Sequence, residues 1–313
     1  AGKRDTLELA AAIESEGAYI GASAGLDTAS VSLNALKDRL DPSLALFADV
    51  ALRPRFDAAE IERVRRQWLA SIAQEKTSPQ SIALRLVPPL LYGDGHAYAI
   101  PFSGSGTEEA IASLTREDLV AYQRDWLRPD NARFIVVGDT TMDEIVPLLE
   151  KHFGDWEAPA APLPQKNIVT VARPQQPRVF LVDQPGSPQA NIIAAQLVTS
   201  TTDPEALDLD IANAVFGGSF TSRINMNLRE DKGWSYGVRS SASGAKGQRP
   251  WFILAPVEIA RTGDSIGELI AELEAFTGER PAEPDELEKI RANRIRSLPG
   301  RFETASAVLG TLS

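Results

Sequence analysis

The chain has 313 residues, 43% hydrophobic and 24% charged, which is long for one domain and enough to fill two cores. Its net charge of −11 argues against a nucleic-acid or anionic-membrane partner, since either needs a basic face for phosphate contact. With no cysteine there is no disulfide framework, thiolate metal site or cysteine nucleophile, and no apolar run approaches the roughly 18 residues that span a bilayer.

In chain order, Asp5 caps a helix carrying Leu9, Ala12 and Ile13 that ends at Gly17. Residues 18–24 and 28–36 flank Gly25-Leu26-Asp27 as a hairpin. Asp41-Pro42 reads as a cap with proline at the first helical position of a helix over 43–52. Asp57 to Glu60 starts a long charged helix reaching Lys76, and Ser78-Pro79 starts another reaching Tyr92. The glycine loop 93–106 places His96 at a turn or surface position. A helix opened by Thr115 to Asp118 ends near Arg128-Pro129-Asp130-Asn131, ahead of a buried strand at 132–137 and a helix ending at His152.

Residues 157–167 contain Pro159, Pro162 and Pro164 and read as a linker. They divide the chain into a first domain, 1–156, and a second, 168–313. The second is expected to hold strands at 178–182 and 190–197 and a helix capped by Asp203-Pro204. A Gly217-Gly218 loop then leads to a short helix over 223–232, capped by Ser222 and stopped by Gly233. Strands near 236–242 and 251–259 and helices over 264–276 and 285–297 complete it. Strands and helices mix without strict βαβ alternation, so the fold class is α+β. Glu60-Ile61-Glu62-Arg63-Val64-Arg65 matches Glu286-Leu287-Glu288-Lys289-Ile290-Arg291, each behind an amphipathic helix, which points to two copies of one unit.

The most specific stretch is 216–240. Arg229 falls in the last helical turn, where carbonyl ends favour a cation, and Tyr236 at the start of the next strand. Both are hydrogen-bond donors, and a convergent pair suits a peptide carbonyl or developing oxyanion. The plainer reading is an arginine on a helix end and a core tyrosine.

This stretch resembles the substrate-binding helix of the second domain in the pitrilysin/insulinase family of inverted-motif zinc peptidases, which includes the mitochondrial processing peptidases. Landmarks in the same order run through most of the chain, among them Leu52-Arg53-Pro54-Arg55-Phe56-Asp57, Leu91-Tyr92-Gly93-Asp94, Arg128-Pro129-Asp130-Asn131 and Val137-Gly138-Asp139. The resemblance implies paired, duplicated α+β domains, each a mixed, mostly antiparallel sheet with helices on one face. It also implies that Arg229 and Tyr236 reach toward a peptide held at a zinc site in the first domain. Both ends look truncated against the family pattern.

The family's zinc is held by H-x-x-E-H and a distant Glu, with the motif glutamate as base. This chain has two histidines, His96 and His152, and no such motif. The distant-Glu position falls on Ser71, not a serviceable zinc ligand; Glu75, one turn on, matches a different, non-ligand position. The expectation is therefore that this chain binds no zinc itself, that zinc and base belong to a homologous partner subunit or N-terminal half, and that this half grips unfolded peptide. A non-proteolytic scaffold subunit, or an active peptidase whose motif lies outside this sequence, are the alternatives. Resemblance to exported tandem family members suggests the periplasm.

Overall fold

The computed structural model describes all 313 residues. The chain gathers into two compact units that follow no single linear cut. One comprises Ala1–Leu69, Glu108–Lys166 and Leu298–Ser313; the other comprises Ala70–Thr107 and Asn167–Ser297. The break between Lys166 and Asn167 falls within the proline-rich stretch.

In the first unit, α1 (Thr6–Ser15) begins with the expected Asp5 cap, which the structure completes as a capping box, Asp5 accepting from the Glu8 N–H at 2.8 Å and Glu8 accepting from the Asp5 N–H at 2.9 Å. Gly17, at φ +60°, turns the chain into β1 (Tyr19–Ala24), which pairs antiparallel with β2 (Ala29–Asn34) from Tyr19 opposite Asn34 to Ala24 opposite Ala29. A 3-10 turn, Lys37–Arg39, leads into α2 (Leu40–Leu52), followed by α3 (Ala58–Glu75), whose final residues belong to the second unit. Asp41 lies inside α2 instead of capping it; the cap position is Arg39. The carboxylate of Asp41 instead binds Lys151 and His152.

Helix α4 (Pro79–Tyr92) belongs to the second unit. Then α5 (Glu108–Ser113), α6 (Arg116–Trp126) and α7 (Met142–Phe153) return to the first. Lys151 Nζ and His152 Nε2, in the last turn of α7, reach Asp41 at 2.7 and 2.8 Å and tie that helix to α2. Arg128 is buried and forks onto Asp130 while donating to the carbonyls of Ala161 and Pro159, which fixes the start of the proline-rich stretch.

The second unit is built on β3 (Gln189–Val198), β4 (Arg239–Ala242) and β5 (Arg249–Glu258), an antiparallel sheet in the order β3-β5-β4. Alternate residues of β5, Trp251, Ile253, Ala255 and Val257, join Phe216, Ile224, Leu228, Val238 and Leu269 in one apolar cluster. Between β3 and β4 the chain forms α8 (Ala206–Asn213), a π-helical turn (Ala214–Gly218) and the helix α9 (Arg223–Asn225), which continues as π-helix over Met226–Asp231. After β5 come a 3-10 turn (Ile259–Arg261), α10 (Thr262–Thr277) and α11 (Pro284–Ser297); α12 (Ala305–Leu312) returns to the first unit.

Mixed helices and antiparallel sheet make this an α+β fold. Two of the expected strands are absent. Residues 132–137 and 178–182 join neither sheet, and Val179 and Leu181 are 92% and 93% exposed. A strand is completed by a neighbour's N–H and C=O groups, and apolar runs without such a ladder keep no regular form. The order helix, positive-φ glycine, hairpin, 3-10 turn, helix, helix occurs twice: α1 through α3 about Gly17, and α9 through α11 about Gly233 at φ +68°.

Candidate functional site

The stretch singled out in the sequence forms one corner of the second unit. Gly217 and Gly218 lie in the π-helical turn, not in a free loop. A Cβ at Gly217 would collide with Ser240 Oγ and Ile224 Cδ1, so the glycine serves close helix–strand packing. Ser222 holds the N-cap backbone position of α9, at φ −71° and ψ 156°, but its side chain makes no capping bond, and its buried hydroxyl has no partner. The expected cap is thus absent; what anchors the helix is the apolar side of the turn, Ile224 and Leu228, packed in the core.

After Asn225 the helix widens, and Lys232 N–H donates to the Asn227 carbonyl five residues back at 3.0 Å. Trp234 N–H returns to the Leu228 carbonyl at 2.9 Å, and the left-handed Gly233 between them makes the turn possible. Arg229 projects from this widened turn, its Cζ 4.5 Å from the Phe220 ring centroid and its Nη1 3.3 Å from Glu230. Tyr236 precedes β4, which starts at Arg239, and stands 92% exposed. It is therefore neither a strand residue nor a core tyrosine. Both side chains occupy the helix–strand corner, and no hydrogen bond or ring contact joins them.

Asn225 was not distinguished by the sequence pattern, yet it organises the corner. Its buried amide donates to the Phe220 carbonyl at 2.6 Å and accepts from the Val238 N–H at 2.9 Å. A single Asn inside a helix carries no sequence signal for such a bridge.

The residues weighed as metal donors are engaged elsewhere. Ser71 lies on α3 in a shallow polar depression with Gln74, Glu75, Ser78 and Ser81. Glu75 pairs with Arg85 and accepts from Ser105 and Ser103 at 2.9 and 3.2 Å. Burial pushes the Glu75 carboxyl up, but the hydrogen bonds from Arg85, Ser105 and Ser103 outweigh it and hold it below the usual range. His96 is buried, contrary to its surface reading. It stacks on Tyr92 at 4.5 Å, accepts from the Tyr98 N–H at 3.0 Å through Nδ1 and faces the Val169 carbonyl at 3.2 Å with Nε2. The aromatic pair Tyr92 and Tyr98 draws it inward, and both ring nitrogens are occupied. His152 belongs to the other unit and binds Asp41. No group of three or more His, Cys, Asp or Glu side chains is placed to hold a metal ion, so these residues do not fit a zinc centre.

Fold and side chains together define an α+β protein whose imidazoles are committed to internal bonds and whose most unusual local geometry is a π-helical corner bearing an arginine. Residues 1–98 match the family model described as insulinase, peptidase family M16, and residues 113–294 match that of the peptidase M16 inactive domain; the chain belongs to this family. It is 26% identical over 237 residues to the uncharacterized zinc protease YmxG of Bacillus subtilis, covering 76% of this chain and 56% of that protein. It is 25% identical over 236 residues to the human mitochondrial-processing peptidase subunit beta, covering 72% and 46%. The chain spans about half the length of the curated relatives it matches. In fold it is similar to a peptidase M16 inactive domain from Pseudomonas fluorescens, with TM-score 0.83, 24% identity and coverage of 99% of this chain and 73% of that one. It is also similar to a protease from Helicobacter pylori, with TM-score 0.87, 20% identity and coverage of 98% and 74%.

Proposed function

We propose that this chain is the catalytically silent half or subunit of a bipartite zinc metallopeptidase, binding extended peptide while a homologous partner or N-terminal half supplies zinc and base. The observation that carries the reading is the donor set. In a peptidase-family fold, Ser71 stands where the third ligand is expected, Glu75 is held by Arg85, and both histidines are engaged. Arg229 and Tyr236 remain on the corner as hydrogen-bond donors, and the planar Arg229 guanidinium offers the larger set of N–H groups. Their role is to hold a peptide carbonyl, so that recognition follows the extended backbone more than the side-chain sequence.

The test is turnover by the assembled enzyme. Arg229→Ala is expected to lower it roughly ten- to a hundredfold, the range for losing one hydrogen bond from a charged group, with assembly by size-exclusion chromatography unchanged. Wild-type turnover would remove the role given to this corner. We further propose that the two matching runs of elements, α1–α3 and α9–α11, are copies of one ancestral unit within the halves 1–156 and 168–313. Superposition of the two runs tests this, and unrelated helix crossings would refute it. By its resemblance to exported tandem relatives the protein is assigned to the periplasm, and fractionation of the full-length protein with cytoplasmic markers would reject that.

A further inference from the structure

Phe220 plays no part in the reading above, yet it is held in a way an incidental surface residue is not. The ring is 67% exposed, so burial contributes little to keeping it there. Three hydrogen bonds nonetheless hold the segment around it, one of them to its own carbonyl. Ser222 N–H donates to the Ser219 carbonyl at 3.1 Å, Asn225 Nδ2 to the Phe220 carbonyl at 2.6 Å, and Lys289 Nζ to Thr221 Oγ1 at 2.7 Å. The Asn225 amide that fixes Phe220 also fixes Val238, two residues beyond Tyr236. One buried side chain thus sets the placement of both flanks of the corner.

The exposed ring meets the Arg229 guanidinium at 4.5 Å, within cation–π range. An arginine side chain free in solvent loses considerable rotamer freedom when it is fixed on a ligand. A guanidinium resting on a ring has already lost much of that freedom, and apart from the Nη1 that faces Glu230 at 3.3 Å its in-plane N–H donors stay available to an acceptor.

We propose that Phe220 is a positioning residue for Arg229, its ring holding the guanidinium on the corner so that the N–H edge meets a peptide carbonyl preorganised. The proposal rests on the reading of Arg229 as a peptide contact. It also accounts for an exposed aromatic on a segment held by three hydrogen bonds.

Two measurements on the full chain test it. The first follows the Arg229 Nε–Hε signal by nitrogen-15 relaxation and needs no ligand. In Phe220→Leu the order parameter is expected to fall and the ring-current shift to vanish, and Phe220→Trp is expected to restore both. The second measures binding of a fluorescein-labelled unfolded casein peptide by anisotropy, in the assembled enzyme. Phe220→Leu should weaken it roughly two- to fivefold, the range for an exposed cation–π contact, Phe220→Trp should recover it, and Phe220→Leu combined with Arg229→Ala should bind no more weakly than Arg229→Ala alone. Unchanged Arg229 mobility in Phe220→Leu overturns the proposal and leaves the peptide-binding reading standing. Wild-type affinity in Arg229→Ala overturns that reading and the proposal with it.

Discussion

At the scale of single residues, Ser222 separates a sequence rule from the energetics of the place where it is applied. A serine ahead of a helix usually caps it, and replacing such a cap with alanine costs about 1 kcal/mol. Here the hydroxyl is buried without a partner, so its removal restores no lost bond and relieves a desolvated polar group. Ser222→Ala is therefore expected to leave the thermal midpoint unchanged or raise it, measured by calorimetry; a drop of several degrees would mean that the hydroxyl does cap the helix. The place of Arg229 at a helix end was legible because an arginine in a last helical turn before a glycine stop is a local pattern. Asn225 and Phe220 were not, because their significance lies in what the folded chain brings to them: a carbonyl, an amide of another segment and a guanidinium. His96 was misread for the same reason, since the tyrosines that bury it act through space and not through sequence pattern.

At the scale of elements, the same distinction runs between helices and strands. Most helices follow caps, periodicity and glycine stops, which are written within a few residues of each end, although Asp41 and Ser222 cap neither α2 nor α9 and α5 was not anticipated. The hairpins β1–β2 and β4–β5 were also readable, because their pairing is sequence-local. The runs 132–137 and 178–182 have strand composition, but a strand is a property of two segments and neither run has its second. What holds the site's helix in place is likewise non-local. Arg223 at the start of α9 donates to Glu286 of α11 at 2.8 and 2.5 Å and to the carbonyl of Pro281 at 2.9 Å. The hydrogen bonds from Arg223 keep the Glu286 carboxyl below its ordinary value of 4.5, against the opposing effect of burial. A depressed folded pKa gives stability that is present above the ordinary value and lost as pH falls through the folded one. The thermal midpoint should therefore hold at neutral pH and decline below about pH 4.5. Glu286→Gln should cost about 1–2 kcal/mol at pH 7 and flatten that acid limb. An acid limb equally steep in the variant would show that other carboxylates set it.

At the scale of the whole molecule, the question is whether a peptidase-family chain with its donors engaged takes up metal at all. Zinc affinity requires several deprotonated ligands converging within about 2.0–2.3 Å of one point. His96 has both nitrogens engaged, His152 is bound to Asp41, and Glu75 is neutralised by Arg85. To recruit any of them the fold must first break bonds that it now makes, and the metal would have to repay that cost from an incomplete ligand set. The chain, loaded with zinc and then exchanged into metal-free buffer, should retain well under one zinc per molecule by mass spectrometry, and its thermal midpoint should not respond to zinc or chelator. Mixed with a homologue bearing an intact H-x-x-E-H motif, it should raise cleavage of an unfolded casein peptide at least about tenfold, the equivalent of roughly 1.4 kcal/mol in the barrier. One tightly retained zinc in the isolated chain would overturn the reading that its donors hold no metal. Cleavage indifferent to its addition would leave it outside the proteolytic step.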